Sequence, residues 1–437
     1  MQENNFRRNK KIISPRSVAY EILIDILMNN VPSHTLLNEL NYSDFEQRDK
    51  NLIRNIVLLT LKNHFFLEKN INQFIDIKKT PKKIKILLLM SLAQIYFLEK
   101  IPDYAVVNDA VFIAKSINLK FANLCNAVLR KLIKSEKVLI TQEDQLLFLH
   151  YNYSWNKKII EKLLKQYDFE QLDKILKDSL NKSKLNYRIN TIKISFKKFV
   201  NDFEKKYYFQ INDFSKNSII SEKPLINTDL FKEGLIIAQD PMSSKVVEIL
   251  NPNSDDKVLD MCAAPGGKTT HISALMRNKG VLIACELKKN KIKRIEENIQ
   301  RLGVQNSAIL NMDALNISEK NKFSKILLDA PCSGWGVTKR KPEIKINYKP
   351  FDLKKNILLQ EKLLEKAYIL LEEGGELVYS TCTFNKIENE EQIIKFKNKY
   401  KDIEIIYQKQ YFGFDYFSDY FFICKMRKMI KNERYRS

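Results

Sequence analysis

Glycine is scarce in this 437-residue chain: there are ten, and every one lies at or after Gly234. Histidine occurs four times and tryptophan twice, and the six cysteines stand at 125, 262, 285, 332, 382 and 424. No two cysteines form a Cys-x-x-Cys pair, so neither a disulfide framework nor a zinc site is expected. The best apolar run, Ile86 to Ala93, is far short of the roughly 20 residues that a spanning helix needs. With the polar opening MQENNFRRNKK, the expectation is a soluble protein of the reducing cytoplasm, with no membrane and no metal. What the chain does have is positive charge: +22 net, with a pI near 9.4. Such a surplus fits a polyanionic partner through counterion release at phosphates. Lysine is spread along the whole chain, as AT-rich coding would also produce, so charge alone does not decide.

At this length two or more domains are expected, since single cores stop growing beyond roughly 250–300 residues. The onset of glycine marks the main division. Before it, apolar residues recur at helical spacing: Ala19, Leu23, Ile26 and Leu27; Leu52, Ile56, Leu59 and Phe66; Leu87, Met90, Ile95 and Leu98. Residues 1–137 are therefore expected to be all-helical, with Pro81 and Pro102 at helix starts or breaks. A small α+β connector is expected over 138–230, with a helix from Ser154 to Lys182, a strand at Leu185–Asn190 and a loop near 213–223. From 231 to 437 strands and helices alternate: strands at Val258–Cys262, Val281–Glu286, Ala308–Asp313, Ile326–Asp329 and Glu376–Cys382. Helices follow from about Lys268, from Lys288 to Leu302 with Gly303 as its stop, and around Leu353 to Leu371. Asn385-Lys-Ile-Glu388 has capping-box spacing for one more. Repeated strand–helix units predict a doubly wound, mostly parallel α/β sheet, which binds ligands beyond the carboxyl ends of its strands.

Two cysteines fall at such ends. Cys332 lies in Asp329-Ala-Pro-Cys-Ser-Gly-Trp-Gly336 and Cys382 closes Leu377-Val-Tyr-Ser-Thr-Cys382. A third strand opens into Cys262-Ala263-Ala264-Pro265-Gly266-Gly267-Lys268-Thr269, where small residues let backbone approach a ligand at a helix start. A phosphate loop would need glycine where Cys262 stands, and the G-x-G-x-x-G dinucleotide fingerprint is absent. S-adenosylmethionine is the remaining cofactor: its carboxylate would meet the loop and Glu286, at the next strand end, its ribose hydroxyls, with Asp313 closing the strand after.

These motifs resemble the Sun/NOL/NOP family of ribosomal RNA cytosine-5 methyltransferases, specifically the bacterial small-subunit (16S) members. The matching stretches are Asp260 to Thr269, Asp329 to Gly336 with Lys339-Arg-Lys-Pro-Glu-Ile-Lys345, Ser380-Thr-Cys-Thr, and Glu388-Asn-Glu390. Gln239-Asp-Pro-Met-Ser-Ser244 resembles the start of the family's catalytic module. Arg16-Ser-Val-Ala-Tyr-Glu-Ile-Leu, Gln47-Arg-Asp-Lys and Asn123 to Arg130 resemble a NusB-like helical domain. The chain departs from the family at Lys386, where proline is usual, at Trp335, where a small residue is usual, and at Asp419-Tyr-Phe-Phe422. The resemblance implies a NusB-like head, the connector, and a Rossmann-like class I methyltransferase domain. It further implies S-adenosylmethionine as cofactor, 16S rRNA as partner, and no metal; a monomer is expected.

Carbon 5 of cytosine is a poor nucleophile, and a thiolate adding at carbon 6 activates it. A second thiol can then assist release. The residues alone leave the roles open: DNA cytosine-5 enzymes attack with a Pro-Cys, which would be Cys332. The resemblance implies Cys382 as nucleophile, Cys332 assisting release, and Asp329 hydrogen-bonding the cytosine edge. It also implies a cofactor site of Cys262, Ala263, Ala264, Pro265, Gly266, Gly267, Lys268, Glu286, Asp313 and Asp329. Lys268 is the nearest motif candidate for activating the thiol. Cys125, Cys285 and Cys424 are expected in the core, and His271 is expected to be structural. The basic residues 339, 340, 341 and 345 are expected to meet phosphates, and Trp335 either stacks on a base or plugs a core. A DNA cytosine-5 methyltransferase and a non-catalytic NusB-like RNA-binding regulator are the rival functions.

Overall fold

The computed structural model describes residues 14–40, 43–320 and 322–430. The chain divides into two compact units, Met1–Asn181 with Thr338–Tyr348, and Lys182–Val337 with Lys349–Ser437. The stretch expected as a connector, 138–230, is thus shared between them: residues up to Asn181 fall in the first unit, and the strands together with the helix Phe196–Tyr207 fall in the second.

The described part of the first unit is helical. Helices span Pro15–Asn29, Ser33–Glu39, Gln47–Lys62, His64–Ile71, Lys82–Phe97, Asp103–Ile117 and Leu119–Lys134. Ser14 caps the first by accepting from the Ser17 amide, Pro15 fills its opening turn, and Asn30 ends it in the left-handed region. Pro81 and Pro102 stand just before helices, where a missing N–H costs nothing. Leu23, Ile26, Ile56, Leu87 and Leu129 are fully buried in one core. Further on, Gln145–Asn152, Lys157–Leu163 and Phe169–Asp178 are helical. The single helix expected from Ser154 to Lys182 is in fact these last two, because Asn156 and Asp168 each act as a cap.

Thr338–Tyr348 returns to this unit. Lys345 is fully buried, with its ammonium donating to the Tyr153 carbonyl at 2.8 Å and lying 3.4 Å from Ser179 Oγ. Lys339 pairs with Asp178 at 2.6 Å, and Glu343 accepts from the Ser33 amide and hydroxyl at 3.0 and 2.8 Å. Lys339 and Lys345 therefore serve this packing, which corrects the expectation that they meet phosphates.

The second unit holds two sheets. Strands β1 (Leu185–Ile189), β2 (Phe209–Asn212), β3 (Ser218–Ser221) and β4 (Ile236–Ala238) form an antiparallel sheet in the order β2-β3-β1-β4. Here β3 occupies part of the expected 213–223 loop. The larger sheet contains β5 (Lys257–Asp260), β6 (Val281–Cys285), β7 (Ser307–Leu310), β8 (Phe323–Asp329), β9 (Leu371–Thr381), β10 (Ile403–Tyr411) and β11 (Phe421–Lys428). Its order is β10-β11-β9-β8-β5-β6-β7, parallel from β9 to β7 and antiparallel at β11 and β10. The direction of winding reverses between β5 and β8, and ligands bind at the carboxyl edge of such a reversal. Asn385–Glu388 does not form the expected capping box: a short 3-10 turn at Lys386–Glu388 precedes the helix Glu390–Lys399, and Glu388 accepts from the Asn385 side chain.

The small sheet is tied to the larger fold by backbone-directed polar contacts. Asn190 Nδ2 donates to the carbonyls of Gly234 and Leu302, and the Arg301 guanidinium donates to those of Phe231 and Ile236. Gly234, at φ +72°, allows this approach: an added Cβ would lie 2.0 Å from the Arg301 carbonyl oxygen. Gly234→Ala is therefore expected to lower unfolding stability by at least about 2 kcal/mol, through overpacking and a strained φ. Denaturant unfolding checks this, and a midpoint equal to wild type would contradict it.

Candidate active site

The site is assembled where β8 and β9 end. These strands pair in parallel with Asp329 opposite Ser380, so the loops that leave them start side by side. The Ala330 amide donates to the Ser380 carbonyl at 2.8 Å, and that of Gly336 to the Cys382 carbonyl at 3.0 Å. Ser333 Oγ lies 2.9 Å from Thr383 Oγ1. Stitched in this way, the loops bring Cys332 Sγ and Cys382 Sγ to 3.5 Å, both half-buried. The other pair of strand-end side chains is closer still. Ser380 Oγ donates to Asp329 Oδ1 at 2.7 Å, and Lys268 Nζ to Asp329 Oδ2 at 2.6 Å.

Cys332 and Cys382 share their half-burial with Cys262, whereas the other three cysteines are buried. Cys125, Cys285 and Cys424 are buried, and burial pushes each thiol up to about 12, so they remain protonated core residues. Cys332 is also held well above the usual thiol range, first by its hydrogen bond to Cys382, then by burial, then by the charges at Cys382 and Glu388. Burial works against the Lys268 ammonium, but Asp329, followed by Cys382 and Asp260, outweighs it and holds Lys268 above the ordinary lysine value.

Beside this pair, β5 ends at Asp260 and opens into the glycine loop. Gly266 caps the helix Gly267–Leu275 at φ +97°, a conformation open to glycine. The first amides of that helix have no intrahelical acceptor. Three acids surround the loop: burial, then Asp260, Asp329 and Glu286, push the Cys262 thiol well up. Asp260 is itself buried, accepting from Thr269 at 2.7 Å, with the Cys262 amide also acting on its carboxylate. Glu286 directly follows β6 and accepts from the Lys288 amide. Asp313 stands three residues beyond β7 rather than closing it, and caps the turn Ala314–Asn316. Such a cluster of acids fits a ligand carrying positive charge next to a helix start.

Trp335 is 2 % exposed, with its ring 6.4 Å from that of Phe384. It is a packing plug. His271 is buried, and burial lowers it well below the usual histidine range, as a structural residue requires. Among the described residues no helix is long and apolar enough to cross a membrane, and no group of His, Cys, Asp or Glu could hold a metal ion.

A family model described as 16S rRNA methyltransferase RsmB/F matches residues 247–417, and a NusB family model matches residues 13–134. The "Probable ribosomal RNA small subunit methyltransferase B" of Bacillus subtilis (strain 168) is 34% identical, over 96% of this chain and 99% of its own. The chain belongs to the RsmB/F family of 16S rRNA methyltransferases. Ribosomal RNA small subunit methyltransferase B of Proteus mirabilis (strain HI4320) is 29% identical, over 94% of this chain and 98% of its own. A crystal structure of a methyltransferase homologue from Pyrococcus horikoshii is 31% identical with a TM-score of 0.58, over 65% of this chain and 98% of its own. This RsmB/F protein is thus an S-adenosylmethionine-dependent methyltransferase of small-subunit rRNA with a NusB-type helical domain, and the acid-lined loop fits that cationic cofactor.

Several residues of the site escaped the sequence reading. Asp260, Ser380, Glu388 and Asn389 lie inside quoted motifs without an assigned role. Arg188 is buried, donating to Gln239 at 2.7 Å and Thr270 at 3.1 Å behind the loop; burial, with Arg301 nearby, pushes it down to about 9. Gln360 sits on the buried face of the helix Pro350–Leu370, seven positions after Leu353. A polar residue on an apolar stripe was its only signal.

Asp260 yields a pH prediction. Burial raises its carboxyl from the ordinary 3.8 to about 6, against the lowering pull of Thr269 and Lys268. The folded state thus binds this proton more tightly than the unfolded one. The stability it contributes is fully present below 3.8 and is lost as pH rises to about 6, up to about 3 kcal/mol. Asp260→Asn should remove this part of the decline between pH 4 and 6, read as the wild-type-minus-variant difference in unfolding free energy. A difference that stays flat with pH would contradict the assignment.

Proposed function

We propose that this rRNA methyltransferase modifies carbon 5 of a cytosine in 16S rRNA through a covalent bond from Cys382 to carbon 6. The observation that supports the reading most is the pair of sulfurs 3.5 Å apart, a contact that raises the Cys332 thiol. A protonated Cys332 donates to the Cys382 sulfur, and a hydrogen bond to the charged form favours that form. Lys268 adds a positive charge that interacts with Cys382. Both effects support attack by Cys382 and supply a physical route to its activation.

In this mechanism Asp329, fixed by Lys268 and Ser380, still has acceptor capacity for the cytosine edge and orients the base. Cys382 bonds to carbon 6, and the electron pair between carbons 5 and 6 moves to carbon 5. S-adenosylmethionine, when bound, supplies an electrophilic methyl group on a sulfonium. Residues Cys262 to Lys268, with Glu286, Asp313 and Asp329, would hold it. After transfer the carbon 5 proton passes to solvent and its electrons restore the double bond. The carbon 6–sulfur pair leaves with Cys382, whose returning negative charge the Cys332 S–H stabilises. The base must be unstacked for this chemistry, so a loop or exposed nucleotide is the substrate.

Cys382→Ala should abolish methyl transfer from labelled cofactor to rRNA. Normal transfer would refute the nucleophile assignment, and no transfer by the wild-type chain would favour an RNA-binding regulator. Cys332→Ala should leave enzyme covalently joined to RNA, as a heat-stable band of reduced mobility. Turnover without that band counts against its role in release, and methylation of duplex DNA would indicate the DNA-type enzyme with the thiols exchanged.

A further inference from the structure

We propose that Glu388 and Gln360 are a positioning pair that fixes Cys332 by gripping the backbone on both sides of it. Gln360 Nε2 donates to the Pro331 carbonyl at 2.8 Å, immediately before the cysteine. Glu388 Oε1 accepts from the Ser333 amide at 2.8 Å, immediately after it. The two side chains join each other at 3.1 Å, closing a ring of polar contacts around residue 332. Both are fully buried.

The grip is itself supported. Gln392 Nε2 donates to Gln360 Oε1 at 3.2 Å, which fixes the amide orientation. Glu388 Oε2 accepts from Asn385 Nδ2 at 2.9 Å, and Tyr379 donates to the Glu388 carbonyl at 2.7 Å. A carboxylate so deeply buried is retained at a cost unless its hydrogen bonds compensate. Burial raises Glu388 above the usual carboxylate value, while Ser333, Asn385 and Gln360 pull it back. An apolar residue would fill the space without this cost, so the carboxylate does something that packing alone does not.

That something has a geometric and an electrostatic part. Fixing residues 331 and 333 leaves Cys332 little freedom except its own side-chain rotation, and holds Sγ against Cys382. The negative charge at Glu388 also helps Cys332 keep its proton, alongside the larger effects of Cys382 and burial. The ionisable groups around the thiol are Cys382 and Glu388, with the buried Tyr379 interacting with Cys332 and Lys268 interacting with Cys382. Glu388 and Gln360 touch neither reacting atom; they act through Cys332.

The inference rests on the reading that Cys332 assists release, and the test separates the two. Gln360→Met removes one donor at nearly equal volume, and Glu388→Gln keeps an acceptor while removing the charge. Each variant is incubated as full-length chain with 16S rRNA and S-adenosylmethionine, and adduct and turnover are followed against pH. Both should slow release about tenfold, with adduct accumulating, as the loss of a buried hydrogen bond predicts. Because the carboxylate raises the Cys332 thiol, Glu388→Gln should also move the alkaline decline in turnover to lower pH. Wild-type release with an unshifted profile, while Cys332→Ala still accumulates adduct, overturns the positioning role alone. If Cys332→Ala accumulates none, the release reading fails. The pair is then judged by alkylation of Cys332 against pH, mapped by mass spectrometry. A shift to lower pH in Glu388→Gln upholds it and an unchanged profile overturns it. This second measurement needs no RNA and does not depend on Gln360→Met folding.

Discussion

The parallel pairing of β8 with β9, with Asp329 opposite Ser380, is the constraint from which the site follows. Side chains alternate along a strand, so a slip of one residue would turn each onto the other face. In the observed register Ser380 reaches Asp329, the two exit loops start together, and sulfurs fifty positions apart in sequence come to 3.5 Å. The register is held by burial on both faces: Ile326, Leu328, Leu377 and Tyr379 pack in one core, Leu327 and Val378 in another. A half-exposed sheet would tolerate slippage that this chemistry would not.

Electrostatics then divides the edge into two tasks. Around the glycine loop the acids Asp260, Glu286 and Asp329 gather, a setting suited to positive charge. Around the thiols the charge is closely rationed. Lys268 bridges the two regions, salt-bridged to Asp329 and close enough to Cys382 to feel its charge. Cys125 and Cys424 show what burial alone does to a thiol: it holds the proton on and makes the group inert. In the proposed mechanism, reactivity comes from a second sulfur and an ammonium, both supplied by strand and helix ends.

Much of this was legible in the chain. Period-3.6 apolar spacing marked the helices before residue 135, and strand–helix alternation after Gly234 marked the doubly wound sheet. The Pro-Cys and Thr-Cys motifs at the ends of apolar runs marked the thiols. What stayed hidden depends on distant partners. Lys339 and Lys345 look like a solvated basic run, yet each finds its counterpart about 160 positions away, in Asp178 and Ser179. Asn385 to Glu388 has the spacing of a capping box, but the Asn385 amide donates to Thr383 Oγ1, and the Glu388 carboxylate serves Ser333, Gln360 and the Asn385 side chain. Trp335 between glycines resembles an exposed stacking surface, while Phe384 covers it. Local pattern reports the element; the use of a polar side chain is set by what the fold brings to it.

The central claim is that Cys382, not Cys332, bonds to the cytosine. Ribosomal RNA carrying 5-fluorocytosine has no proton to lose at carbon 5, so methylated RNA stays joined to the attacking thiol. Proteolysis and mass spectrometry of that trapped complex identify the residue. The modified nucleotide on the peptide containing Cys382 is the predicted result; finding it on Cys332 would contradict the account.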